Sequence, residues 1–230
     1  MLKKLLGNSI WQLVSQADIV SKFVLLILLI FSIICWAIFF YKIILFSIKK
    51  RQVKNVMKDL RKTTNFDEVL SVVAKHKNTL PGYFLSKNLS FLKSMLIFDS
   101  ETEKAEIGDR EWDLFIGYID QRLDEVVHRE QSYLSVLGTI AAASPLLGLF
   151  GTVWGLIHSF VRISERQSAD IATVAPGIAE ALITTLAGLA VAVPALIMFN
   201  YCRSQVKKID QMFTTLSDRL IVKVQKFVLK

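Results

Sequence analysis

Three apolar runs, each long enough to cross a bilayer as a helix, leave this chain few possible architectures. Phe23 to Tyr41 carries no charge, and the apolar run continues past Lys42 to Ile48. Gln131 to Val161 is uncharged, and the stretch from about Ile171 to Cys202 holds Glu180 as its only charge. A spanning helix needs about 20 predominantly apolar residues. In hydrocarbon the backbone must satisfy its own hydrogen bonds, which a helix does within one segment. Hydrophobic residues make up 53% of the chain and the mean hydropathy is +0.44, too apolar for an ordinary soluble domain. The expected fold is an all-α membrane protein: three transmembrane helices with long cytoplasmic helical extensions of the second and third. The segments are 1–18 (a short interfacial amphipathic helix anchored by Leu2, Leu5, Leu6, Trp11 and Leu13), 19–48, 49–130, 131–161, 162–170, 171–202 and 203–230. Lys3 and Lys4 resemble the start of a signal peptide, but the apolar run begins too late, is too long and lacks a small-residue cleavage site.

The net charge of +8 is unevenly placed. Lys49, Lys50, Arg51, Lys54, Lys58, Arg61 and Lys62 follow the first run against Asp59 alone, and the tail after the third run is also basic. The 162–170 hairpin balances Arg162 and Arg166 against Glu165 and Asp170. Basic flanks mark the cytoplasmic side. The 49–130 loop and the C-terminus are therefore expected inside, and the N-terminus and hairpin on the periplasmic side. Topology accounts for the basic residues without a nucleic-acid partner. Cys35 and Cys202 form neither a metal spacing nor a disulfide framework and read as small hydrophobes.

The loop does not read as a separate globular domain. Trp112, Phe115, Ile116, Ile119, Leu123, Val126 and Val127 form a helical stripe that runs toward the second span with no Pro or Gly after Gly117. A single helix from about Asp109 to Phe160 is expected, on the order of 75 Å long. Ile209, Met212, Phe213, Leu216, Leu220, Val224 and Phe227 make a matching stripe in the tail, and the two stripes are expected to pack together. Between them, 63–108 reads as short helices divided at Asn65, at Thr79-Leu80-Pro81-Gly82 and at Gly108. His76 and His128 are expected to be solvated. No phosphate loop, zinc-protease motif or nucleophile elbow is present, so no enzyme, cofactor or metal is expected.

Glu180 is the residue that packing alone does not explain. A charge at the centre of a spanning helix costs on the order of 2–3 kcal/mol or more to insert, and such groups usually face a bundle interior or a wet cavity on an ion or proton path. Thr152 lies ten residues before Arg162 and Glu180 ten after Asp170, so an antiparallel hairpin brings them to one level, about 15 Å of helix below the outer turn. Thr184 follows Glu180 on the same face, whereas Thr185 reaches that level only at a helix–helix seam. One carboxylate with hydroxyls is a poor shell for a divalent cation and suits protons better. His158 reads either as a further titrating group or as an interfacial polar residue. Gly148, Gly151, Gly155 and Gly188 suit close helix packing. Pro145 and Pro194 either shape a pore by kinking their helices or adapt their packing.

The run Ser144-Pro145-Leu146-Leu147-Gly148-Leu149-Phe150-Gly151-Thr152-Val153-Trp154-Gly155 resembles the MotA/TolQ/ExbB proton-channel family, as do Val174 through Leu182, Gly188 and Ala192-Val193-Pro194-Ala195. Phe31 to Ile38, the short N-terminus and Ile157-His158-Ser159-Phe160 are more similar to its TolQ branch than to its ExbB branch. The resemblance implies a pentamer in the bacterial inner membrane around two single-span helices of a TolR-like partner. The partner's intramembrane Asp would face Thr152, Glu180 and Thr185, and motion would pass to a TolA-like protein serving envelope integrity and cell division. At Thr184 relatives commonly carry Ala; the added hydroxyl either relays protons or bonds back to its own helix. Two other readings stand beside this one: an ExbB-like motor for outer-membrane uptake, and a non-conducting scaffold. A flagellar stator would have four spans. For the topology, cysteine-accessibility labelling of Ser168→Cys from outside intact cells is expected to succeed, and that of Ser94→Cys to require permeabilisation. Outside labelling at position 94 would reverse the orientation.

Overall fold

A computed structural model describes residues 18–98, 105–166 and 171–228. Among these residues it is helical apart from one two-residue antiparallel pair. In chain order the elements are α1 (Ile19–Lys62), α2 (Phe66–Lys75), α3 (Leu80–Met95), β1 (Ile97–Phe98), β2 (Ala105–Glu106), α4 (Asp109–Gln131), α5 (Leu134–Arg166) and α6 (Ile171–Val228). Three of them, α1, α5 and α6, are long and apolar enough to cross a membrane. The amphipathic helix expected over 1–18 lies outside the described residues except for Asp18, as do residues 167–170 of the hairpin.

The chain divides into two compact units. The first holds residues up to Tyr41 and Tyr133–Cys202, the apolar parts of α1, α5 and α6. Each helix buries one narrow stripe: Ser21, Val24, Leu28 and Cys35 on α1, and Leu134, Leu137, Ile140 and Ser144 on α5. The stripe on α6 runs through Ala181, Thr184, Ala192, Ala195, Met198 and Cys202. The opposite faces present Ile19, Phe23, Leu146, Phe160, Leu186 and Ile197, all more than half exposed. Apolar exposure on this scale suits lipid or neighbouring subunits rather than water. Pro145 and Pro194 lie inside helices that continue through them.

The second unit comprises Lys42–Ser132 and Arg203–Lys230. It joins the loop to the ends of α1 and α6 around a core of its own. Val53, Val56 and Leu60, Phe84, Leu85 and Leu92, Phe115 and Ile119, and Phe213, Leu216 and Leu220 are all nearly or wholly buried. Phe115, Ile119 and Val126 of one predicted stripe and Ile209, Phe213, Leu216, Leu220 and Val224 of the other are buried, and α3 touches both helices that carry them. Phe84 meets Phe213 edge-on at 5.4 Å between ring centres, and Phe91 stacks on Tyr118 at 4.0 Å. The predicted turn signals serve as helix starts. The Thr64 and Asn65 N–H groups donate to Glu68 Oε2 at the head of α2, and Gly82 N–H donates to Thr79 Oγ1 at the head of α3. At Gly82 only glycine fits, because a Cβ would overlap the His76 carbonyl.

Two expectations are corrected. The single helix from 109 to 160 is broken at Ser132 and at Tyr133, whose φ is +66°. In an unbroken helix the Glu130 carbonyl would accept the N–H of residue 134. Here Lys42 Nζ donates to that carbonyl at 2.8 Å, and Ser132 Oγ donates to the Arg129 carbonyl at 2.8 Å. A lysine at a helix C-terminus is a favourable cap, so α4 ends there. The Glu130 carboxylate, fully buried, pairs with Lys49. His76 is not solvated: its side chain is 15% exposed and its Nε2 lies 3.0 Å from Asp59 Oδ2. Lys75 Nζ approaches the same oxygen at 3.0 Å. His128 is exposed.

The His76 hydrogen bond, with Lys75 beside it, holds the Asp59 carboxyl down at about 2. A carboxyl depressed by folding contributes stability above its unfolded value near 3.8, and that contribution is lost as pH falls through about 2. Asp59→Asn is therefore expected to lower the unfolding temperature in detergent at neutral pH. The gap from the parent should narrow below pH ~4. A gap independent of pH would mean that the pair contributes nothing through charge.

Candidate functional site

The site is built on the contact between α5 and α6. With almost no side chain between them, the two backbones touch. A Cβ on Gly188 would lie 2.6 Å from the Ser144 carbonyl oxygen, one on Gly148 3.0 Å from the Thr184 carbonyl oxygen, and one on Gly155 2.9 Å from Ala181 Cβ. At Gly151 a Cβ would overlap the Thr184 side chain. Lipid gives helices no hydrophobic reason to associate, so close van der Waals approach and interhelical hydrogen bonds must hold them. The small residues supply the first and the threonines the second.

Thr152 Oγ1 donates across the seam to the Ala181 carbonyl at 3.0 Å, and Thr185 Oγ1 donates back to the Gly148 carbonyl at 3.0 Å. The two hydroxyls also contact each other. Thr152 is therefore level with the residue next to Glu180, where counting from the hairpin placed it, and Thr185 lies at the seam. Thr184 is fully buried, and its hydroxyl donates to Ala181 O at 2.7 Å within its own helix. A longer approach takes the same hydroxyl to Gly148 O at 3.3 Å across the seam.

Glu180 is 9% exposed. Its Oε1 accepts the backbone N–H of Asp18 at 2.7 Å, at the head of α1. Asp18 Oδ2 in turn accepts Trp154 Nε1–H at 2.9 Å. Asp18 and Trp154 were not singled out by sequence reasoning. The available signal was an aspartate directly before an apolar run, a residue type that caps helix starts. His158, one turn beyond Trp154 on α5, is half-buried and close enough to act electrostatically on the Asp18 carboxylate. The arrangement gathers a carboxylate, a pair of hydroxyls in contact and backbone hydrogen-bonding groups at one level of an otherwise apolar bundle. Such groups can accept, hold and pass a proton.

Residues 77–215, more than half of the chain, match the family described as the MotA/TolQ/ExbB proton channel family. The chain is 35% identical over 203 residues to the biopolymer transport protein ExbB of Salmonella typhimurium, covering 86% of this chain and 79% of that protein. It is 30% identical over 222 residues to the Tol-Pal system protein TolQ of Pseudomonas aeruginosa, covering 92% and 90%. With TolQ of Haemophilus influenzae it shares 30% identity over 204 residues, 85% of each.

Because the Thr184 side chain fills the space opposite Gly151, Gly151→Ala is expected to force the α5–α6 pair apart. The cost should be about 1–3 kcal/mol, the usual cost of overpacking. Thr184→Gly in the same chain should restore part of the loss. Thermal unfolding of the purified protein in detergent is the measurement. Additive losses from the two changes would show that these side chains do not oppose each other.

Proposed function

The chain belongs to the MotA/TolQ/ExbB proton channel family, and from that premise we propose that it is the channel-forming subunit of a proton-driven motor in the bacterial inner membrane, with Glu180 as its proton-carrying group. The observation that carries this is Glu180 itself, a nearly buried carboxylate held by a backbone N–H on an apolar helix. Thr152 and Thr185 are the hydroxyl partners on the path, and Gly148, Gly151, Gly155 and Gly188 hold the seam that aligns them. Thr184, already bonded to its own helix, has a packing role. Pro145 and Pro194 keep a role in helix shape. The reading is of a transporter part, not an enzyme, working as a homo-oligomer, a pentamer, surrounded by lipid. The N-terminus lies on the periplasmic side and the C-terminus inside.

The finer assignment is to the Tol-Pal type, with a TolR-like single-span partner whose intramembrane Asp faces Glu180 and a TolA-like protein beyond it. It rests on the likeness of Phe31–Ile38 and Ile157–Phe160 to TolQ, and on the near end-to-end match with a TolQ protein. The ExbB type, energising outer-membrane uptake, is favoured by higher identity, 35% against 30%. Complementation of strains lacking one or the other protein separates them: restored envelope integrity supports the first, and restored uptake the second.

Force would come from the proton gradient, about 2.3 kcal/mol per charge per 100 mV. In liposomes containing the partner, Glu180→Gln is expected to cut proton flux by about a hundredfold or more, the scale of a lost acid–base group. Oligomer size should be unchanged. Thr152→Ala and Thr185→Ala should cut flux by about tenfold, since water replaces a hydroxyl at modest cost. Full flux with Gln would rule out an obligatory titrating role for Glu180, and full function with no proton flux would favour the scaffold reading.

A further inference from the structure

Asp18 belongs to no part of the proton path as drawn so far, yet it makes the hydrogen bond that Glu180 receives. Its N–H points at Glu180 Oε1 from the capping position just before α1, a helix of 44 residues. The Asp18 carbonyl accepts the Lys22 N–H at 3.0 Å and so opens the first helical turn. The first N–H groups of a helix have no partners within it, and they carry the positive end of its dipole. A carboxylate set there is stabilised by those groups. What aims this helix end is the side chain of the same residue: Asp18 Oδ2 is gripped by the Trp154 indole on α5, with a weaker contact from Val20 N–H at 3.4 Å. Three helices therefore meet through one residue.

We infer that Asp18 is a positioning residue for Glu180: Trp154 anchors its carboxylate, and this anchorage presents its backbone N–H to the ionised form of Glu180. Protonation of Glu180 removes the charge that this N–H and helix end hold, and so loosens the side chain from α1. The inference rests on the reading of Glu180 as the proton carrier and adds a latch that senses its charge. Among the described residues, the charged and titratable groups at this end are Asp18 before α1, Lys22 on it, His158 on α5 with Arg162 a turn beyond, and Glu180 on α6.

The test is labelling of Glu180 by dicyclohexylcarbodiimide, which attacks protonated carboxyls. It is followed by mass spectrometry across a pH series on membranes holding the full chain and its partner. Asp18→Pro deletes the donating N–H one residue before the helix begins, where no intrahelical hydrogen bond is lost. The pH of half-maximal labelling is expected to move up by about one unit, as befits a lost hydrogen bond to a charged group. Asp18→Ala and Trp154→Phe keep the N–H but lose its anchorage, so each should move the midpoint up by less. Asp18→Asn, which keeps both the N–H and an acceptor for Trp154, should show no upward move. Unchanged midpoints in both Asp18→Ala and Trp154→Phe would overturn the inference, as would an Asp18→Asn midpoint raised like that of Asp18→Ala. Labelling is read whether or not protons cross, so this result stands apart from the flux of Glu180→Gln.

Discussion

The backbone contact between α5 and α6 at Gly148 and Gly188 is the constraint on which the rest of the membrane unit depends. A threonine hydroxyl extends only a short way from its helix. Thr152 reaches the Ala181 carbonyl, and Thr185 the Gly148 carbonyl, only because nothing larger than hydrogen separates the helices at these levels. Each of these carbonyls also lies within its own helix and receives the Thr184 hydroxyl as well, so the interhelical bonds share crowded acceptors. Their individual worth is modest, about 0.6 kcal/mol on average in a membrane protein where such bonds were measured. Their effect is on register: sliding the helices by one residue would lose both hydroxyl bonds and drive the larger side chains into the glycine positions.

How much of this was legible in the sequence follows the range of each interaction. The three spans, the helical stripes and the glycine run are local patterns, and they reappear as the buried faces of α1, α4, α5 and α6. The helix starts at Asn65 and Thr79 were legible because capping chemistry acts over three or four residues. The break at Ser132 and Tyr133 was not, because its cause is Lys42, 88 positions away from the carbonyl it takes. Lys42 read as an interruption of an apolar run, whereas it is almost wholly buried. The partner of Glu180 was hidden for the same reason, being 162 positions distant. His76 failed differently: its polar neighbourhood suggested water, while the helix turn after Lys75 brings it onto Asp59.

The two buried glutamates show what separates a structural carboxylate from one that can cycle. Glu130, fully buried in the second unit, lies against the Lys49 ammonium. A cation in contact opposes neutralisation of a carboxylate, and removing either partner would strand a buried charge at a cost of about 3–5 kcal/mol. Such a pair holds a helix end in place and is unsuited to repeated loading. Glu180 instead accepts a backbone N–H at the head of α1, and how firmly a proton carrier is held matters. A group held too firmly in one state cannot be discharged by a gradient supplying about 2.3 kcal/mol per 100 mV, and one left bare in hydrocarbon would stay neutral. A single N–H donor, worth about 1.5–3 kcal/mol to a charged acceptor, lies in the range that such a gradient can overcome.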